Sequence, residues 1–178
     1  SEVKNPSLAF MADFDASTPG AVTTVVMEGT RPFLVEIQAL TSKTFFGYPK
    51  RAASGFKKSR LELLIAILSK RLGLRLGEQD VYLNVAGGLK ISEPAADLAA
   101  VCAIISSFND KPLPPKVCVF GEVGLGGEVR PVSFMDKRIR EAEQLGFEHI
   151  FCPVVKNFST QSKIKITAVK KIGDIKFW

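Results

Sequence analysis

Cysteine is scarce: Cys102, Cys118 and Cys152 are an odd number, each set in an apolar run and none in C-x-x-C spacing. That excludes a disulfide framework and a cysteine zinc knuckle within this chain, and buried reduced thiols in a cytoplasmic protein are expected. Histidine is scarcer still. His149 lies in a strand-like run, Glu148–Cys152, with no second His or Cys at ligand spacing, so no zinc site is expected here. Long apolar runs are also missing. Leu61–Leu68 and Ala95–Ile105 carry Glu62 and Asp97 and fall short of the roughly 20 residues a bilayer demands. Ser1-Glu2-Val3-Lys4 is polar and no apolar stretch follows it, so no signal peptide is expected. There is no G-x-x-x-x-G-K-[ST] loop, which excludes P-loop nucleotide binding, and no H-E-x-x-H, G-x-S-x-G or paired-carboxylate arrangement. No repeat and no low-complexity segment appears.

What is present fits one globular domain. The 178 residues suffice for a single continuous core, and 46% hydrophobic with 24% charged residues is ordinary for a soluble chain. The chain opens without Met inside what reads as a strand-rich segment, so a longer parent is expected. Residues 1–20 are expected to be a connecting segment and 21–178 the domain proper. The formal charge of +6 and pI near 9.3 are unevenly spread. Between Lys43 and Arg75 stand nine cations, Lys43, Lys50, Arg51, Lys57, Lys58, Arg60, Lys70, Arg71 and Arg75, against Glu62 alone, a local balance of 9 − 1 = +8.

Hydrophobic periodicity gives alternating strands and helices. Val22–Glu28 and Phe33–Leu40 flank Gly29-Thr30-Arg31-Pro32, which predicts a hairpin. Thr41–Phe56 holds Gly47, Pro49 and Gly55 and reads as a loop with at most one short strand. In Lys57–Leu72, Leu61, Leu64, Ile65 and Leu68 recur at helical spacing, cations fill the last turn, and Gly73 stops the helix. Asp80–Ala86 reads as a strand broken by Gly87-Gly88. Ser92-Glu93-Pro94 predicts a helix start with a capping hydroxyl, and Ala95–Phe108 a buried helix. Val117–Phe120 and Glu128–Val132 read as strands around the Gly124–Gly127 turn, Met135–Leu145 as an amphipathic helix ended by Gly146, and His149–Phe151 and Ile164–Val169 as further strands. The glycine-rich run Gly121–Gly127 stands between strands instead of opening a helix, so it reads as a turn and not as a phosphate cradle. The class is α+β, a mixed sheet with packed helices.

Three segments carry a resemblance. Asp80-Val81-Tyr82-Leu83-Asn84-Val85-Ala86-Gly87-Gly88 leads into Ser92-Glu93-Pro94-Ala95-Ala96-Asp97-Leu98-Ala99. Val119-Phe120-Gly121-Glu122-Val123-Gly124-Leu125-Gly126-Gly127-Glu128-Val129-Arg130-Pro131-Val132 follows. Glu141-Ala142 through Gly146-Phe147, with Cys152-Pro153, closes the set. Order and spacing resemble the Lon-type proteolytic domain, which implies a Lon proteolytic-domain-like (ribosomal protein S5 domain 2-like) fold. With Asn5-Pro6-Ser7, Glu28-Gly29-Thr30-Arg31-Pro32 and Leu34–Leu40 added, the chain resembles the Lon-like domain of the RadA family of bacterial recombination proteins from about Glu2 to about Val154.

The resemblance implies what the chain does and does not do. A Lon-type dyad needs a serine at a helix N-terminus and a lysine able to take its proton. The serine position falls on Ala95. The lysine position falls on Asp136 or its neighbour Lys137. No catalytic residues are therefore expected, and Ser92 reads as a helix cap rather than a displaced nucleophile. The resemblance further implies a hexameric ring, and DNA, single-stranded or branched or double-stranded, as partner in recombination and repair. It places ATP, Mg and Zn in upstream domains that this chain lacks, with the longer parent a DNA-dependent ATPase.

From the residues themselves, Lys43, Lys50, Arg51, Lys57, Lys58 and Arg60 are the candidates for phosphate contact, because each paired phosphate releases counterions. Cations gathered at a helix start oppose its dipole, which argues for a role beyond stability. Phe45, Phe46, Tyr48 and Phe56 are interleaved with them and either stack on bases or belong to a core or subunit contact. Arg31 and Arg130, each before a proline, are expected to pair structurally. Two rival readings stay open: a scaffold without DNA affinity, and a peptidase with a displaced dyad.

Overall fold

The computed structural model describes residues 7, 15, 17–156 and 162–178. Most of the expected connecting segment, including Asn5 and Pro6, lies outside the described residues. Seven strands form one mixed sheet. The hairpin is present as β1 (Ala21–Glu28) and β2 (Arg31–Lys43), antiparallel with Val25 opposite Leu34 and turned by Gly29-Thr30. On the far side of β2 runs β4 (Gln79–Val85), antiparallel to it, and β3 (Arg51–Ser54) pairs parallel with β4 at the sheet edge. On the other side of β1 follow β5 (Val117–Val119), β8 (His149–Cys152) and β9 (Lys165–Ala168), all parallel. The order is β3-β4-β2-β1-β5-β8-β9.

Helices cover both faces of the sheet centre. Helix α1 (Lys58–Leu72) buries Leu61, Leu64, Ile65 and Leu68, the residues set at helical spacing, and ends at Gly73 in the left-handed region. Helix α2 (Asp97–Asn109) is buried almost all round, and with α1 it packs on one face around Val22, Val26, Val35 and Ile37. Helix α3 (Met135–Gln144) packs Ile139 and Ala142 on the opposite face against Val25, Leu34, Phe120 and Ile150. Central β1 therefore has both faces covered, and its first six residues are all buried, Thr23 and Thr24 included. Each aliphatic side chain fully buried in these two clusters contributes roughly 1.5–3 kcal/mol. Towards the β3 edge the α3-side face is bare, and Gln38, Leu40, Ala52, Ser54 and Asn84 are exposed there.

Several boundaries differ from the periodic reading. Ser92 is exposed and is no capping hydroxyl: the turn of 3₁₀ helix Pro94–Ala96 follows Glu93 without a side-chain cap, and α2 begins only at Asp97. The Gly124–Gly127 turn joins a separate two-residue hairpin, β6 (Glu122–Val123) and β7 (Val129–Arg130), rather than β5 and a long second strand. All three cysteines are buried and free. Burial pushes the Cys152 thiol up to about 12, and pushes Cys102 and Cys118 up as well. No described helix is long and apolar enough to cross a membrane.

Candidate nucleic-acid interface

The residues to which the Lon resemblance assigns a dyad lie at the approach to α2 and in the first turn of α3. Ala95 is 1% exposed, and its carbonyl accepts the Gly121 N–H at 2.8 Å while the Gly121 carbonyl accepts from Leu98 at 3.0 Å. Asp136 is exposed on the first turn of α3. Lys137 donates from Nζ to the Thr30 carbonyl at 3.0 Å and lies over the Phe134 ring. Ala95 has no hydroxyl, and the Lys137 amine is engaged by the Thr30 carbonyl.

Two ion pairs fill this region, both unforeseen in the sequence. Arg138 is fully buried and donates to Glu93 through both terminal nitrogens, at 2.9 and 2.8 Å. It also donates to the Ser133 and Val25 carbonyls, while Glu93 accepts the Met27 N–H. This cluster ties α3, β1 and the approach to α2 together. Four residues on, Asp97 is 1% exposed and accepts two bonds from Arg60 and one from the Val123 N–H. Burial pushes the Asp97 carboxyl up against the opposing pull of the Arg60 bond, and Asp97 in turn holds the Arg60 guanidinium above its ordinary value. Arg60 also donates to the Val123 carbonyl at 2.8 Å. Its donors are therefore turned inward.

The six candidate cations do not act as one group. Arg51 turns back onto the Gln79 and Leu76 carbonyls, and burial holds its guanidinium below the ordinary value. Lys58 stands 3.9 Å from Glu62 on the exposed side of α1. Lys43, Lys50 and Lys57 are exposed, and among the described residues none forms an ion pair. Lys57 precedes α1, whose first turn holds Lys58 and no acid, so the positive helix end is left uncompensated. Lys43 ends β2 and Lys50 precedes β3, one on each side of the loop 44–50.

That loop is held at both ends. The Asp80 carboxylate accepts from Thr44 Oγ1 at 2.9 Å and from the Lys50 N–H at 2.7 Å, and those bonds, the backbone one foremost, keep its pKa below the usual range. Thr44 N–H also bonds the Glu78 carbonyl, and the Lys50 carbonyl accepts from Val81. Between these anchors Phe45, Phe46 and Tyr48 are 79, 91 and 93% exposed. Phe56, grouped with them in the sequence, instead packs against the core beside α1. Past the other end of β3 from that loop, Phe56, Lys57, Ser59, Arg60, Ser92 and Glu93 line part of a cleft of about 400 Å³.

Residues 37–156, about two thirds of the chain and everything from mid-β2 past β8, match the family described as subunit ChlI of Mg-chelatase. The chain belongs to that family. The matched span holds both ion pairs and the whole basic segment. Among curated proteins the chain is 54% identical over 152 residues to DNA repair protein RadA of Bacillus subtilis, covering 85% of this chain. It is 47% identical to the RadA of Haemophilus influenzae and 45% to that of Escherichia coli, each over 97% of this chain. The chain spans only 33–38% of the length of these relatives.

Proposed function

We propose that this chain is a Lon-like domain without peptidase chemistry, spanning residues 21–178, that serves a RadA-type DNA repair protein as DNA-binding surface and oligomerisation module. The observation that carries the reading is a set of exposed lysines outside the ion pairs of the described residues, Lys43 and Lys50 beside a pinned loop and Lys57 past the other end of β3, in a chain about half identical to proteins named for DNA repair. Phosphates are their natural partner, because exposed lysines outside ion pairs neutralise phosphates and release counterions. The mixed sheet with helices on both faces, and a small-residue helix opening at Pro94, support the Lon-like assignment. Ala95 and the inward engagement of Glu93 and Arg138 support the absence of hydrolysis, since no nucleophile–base pair stands at the helix start. On this reading recombination intermediates are the substrate of the longer protein, and ATP, Mg and Zn belong to parts of it outside this chain. Ring formation, as a hexamer, would repeat these lysines around a central axis.

The test is fluorescence anisotropy of labelled DNA with the chain and with a Lys43→Ala/Lys50→Ala/Lys57→Ala variant. Binding that weakens at least tenfold in the variant, with the fold intact, supports the interface. Binding left unchanged by the variant, or absent at low salt, favours the scaffold reading, in which the basic segment faces a neighbouring subunit.

A further inference from the structure

Four of the exposed large hydrophobic side chains, Leu40, Phe45, Phe46 and Tyr48, fall within nine residues, and the three aromatics occupy one loop tip. Exposed aromatics in an unheld loop would collapse onto the nearest apolar surface. Here both feet of the loop are tied to the start of β4, through Asp80, Glu78 and Val81, and Gly47 turns the tip at φ 64°. The rings are thereby held out in water, at the cost of hydrating their faces, by bonds that fix the loop before any partner arrives. A partner meeting this loop loses little conformational freedom in the protein.

The charge around the tip decides which partner fits. Lys43 and Lys50 flank it, and the acid at its base, Asp80, is already engaged by the Thr44 hydroxyl and the Lys50 N–H. A second copy presenting the same loop would bring like charges together. A lone apolar partner would leave the lysines idle. Cations that track a backbone beside ring faces that accept flat, unpaired bases are the two components of single-strand binding. A duplex offers the lysines its phosphates but keeps its base faces stacked inside.

We infer that the loop 44–50 is a base-stacking platform, with Phe45, Phe46 and Tyr48 as its stacking residues, and that it makes this surface discriminate single-stranded from double-stranded nucleic acid. The inference rests on the proposal that the flanking lysines bind DNA. The lysines supply affinity for either form, and the rings supply the difference.

Anisotropy of labelled oligothymidine and of a duplex of equal length, with the wild-type chain and a Phe45→Ala/Phe46→Ala/Tyr48→Ala variant, separates the two claims. The rings are exposed, so the variant should fold as the wild type does. The platform predicts that single-strand affinity falls by about tenfold or more, while duplex affinity holds within about twofold and the salt slope on either form is unchanged. Equal losses on both forms, or none on either, overturn the platform but leave DNA binding by the lysines standing. Wild-type protein that binds neither form overturns both. A Phe46→Trp variant adds a direct reading: its indole fluorescence should be quenched by oligothymidine and not by duplex. A changed sedimentation coefficient in the triple variant, with DNA binding intact, would make the loop a subunit contact and refute the platform.

Discussion

Asp97 and Glu93 are carboxylates placed where the chain is otherwise apolar, and each is matched by one guanidinium. Removing one partner of such a pair leaves the other desolvated, so Asp97→Ala should destabilise the chain by about 3–5 kcal/mol in urea unfolding. Asp97→Asn with Arg60→Met, which removes both charges at nearly unchanged volume and keeps an acceptor for the Val123 N–H, should recover part of that loss. Asp97 was visible in the sequence as an acid inside an apolar helix, and burial of an acid demands a partner. Its partner was not visible, since Arg60 lies 37 residues away and looked like one cation among nine. His149 gives a pH-dependent test at the same scale. Burial first, then Lys165, holds its imidazole below the ordinary 6.5, so the unfolded chain takes up this proton before the folded one. Its contribution to stability is therefore present above about pH 6.5 and lost as pH falls towards the lowered folded value. His149→Gln should flatten this part of the stability–pH curve in thermal melts at pH 5 to 8, at some cost from its 2.7 Å contact with Thr167.

Among the elements, the ones fixed by local signals were legible. The β1–β2 hairpin follows from a turn between β-rich runs, and α1 and α3 from their spacing and stop glycines. Elements set by distant pairing were less so. Arg51–Ser54 has too few residues to announce a strand and becomes β3 only because β4 offers it an edge. The residues around Gly124–Gly127 split into a small hairpin because the Asp97 carboxylate captures the Val123 N–H at 3.1 Å, a tertiary bond with no local signature. Loop 44–50 belongs to this class, since Asp80, its anchor, lies 30 residues from Lys50. Asp80→Ala should leave the melting temperature nearly unchanged and make the loop a preferred chymotrypsin site, at Phe45, Phe46 or Tyr48. Cleavage no faster than in the wild type would show that the remaining backbone bonds suffice to hold it.

At the scale of the molecule, composition located the charge excess but not its division of labour. Six cations looked equivalent in one dimension. In three, Arg51 and Arg60 spend their donors on carbonyls and on Asp97, Lys58 stands near Glu62, and Lys43, Lys50 and Lys57 are left facing solvent. Helix α1 brings the Arg60 side chain inward, because Arg60 shares the inner side with Leu61 and Leu64, and that rotation is set by packing against α2. The aromatics divided in the same way, Phe56 to the core and three to the surface. The measurement that tests the central claim most directly is the slope of log affinity against log salt for DNA binding. The account predicts a steep slope for the wild type and a loss of about 0.7 to 0.9 units for each phosphate contact removed, so roughly 2 to 3 units in the Lys43/Lys50/Lys57 variant. A slope that stays the same in the variant would contradict it.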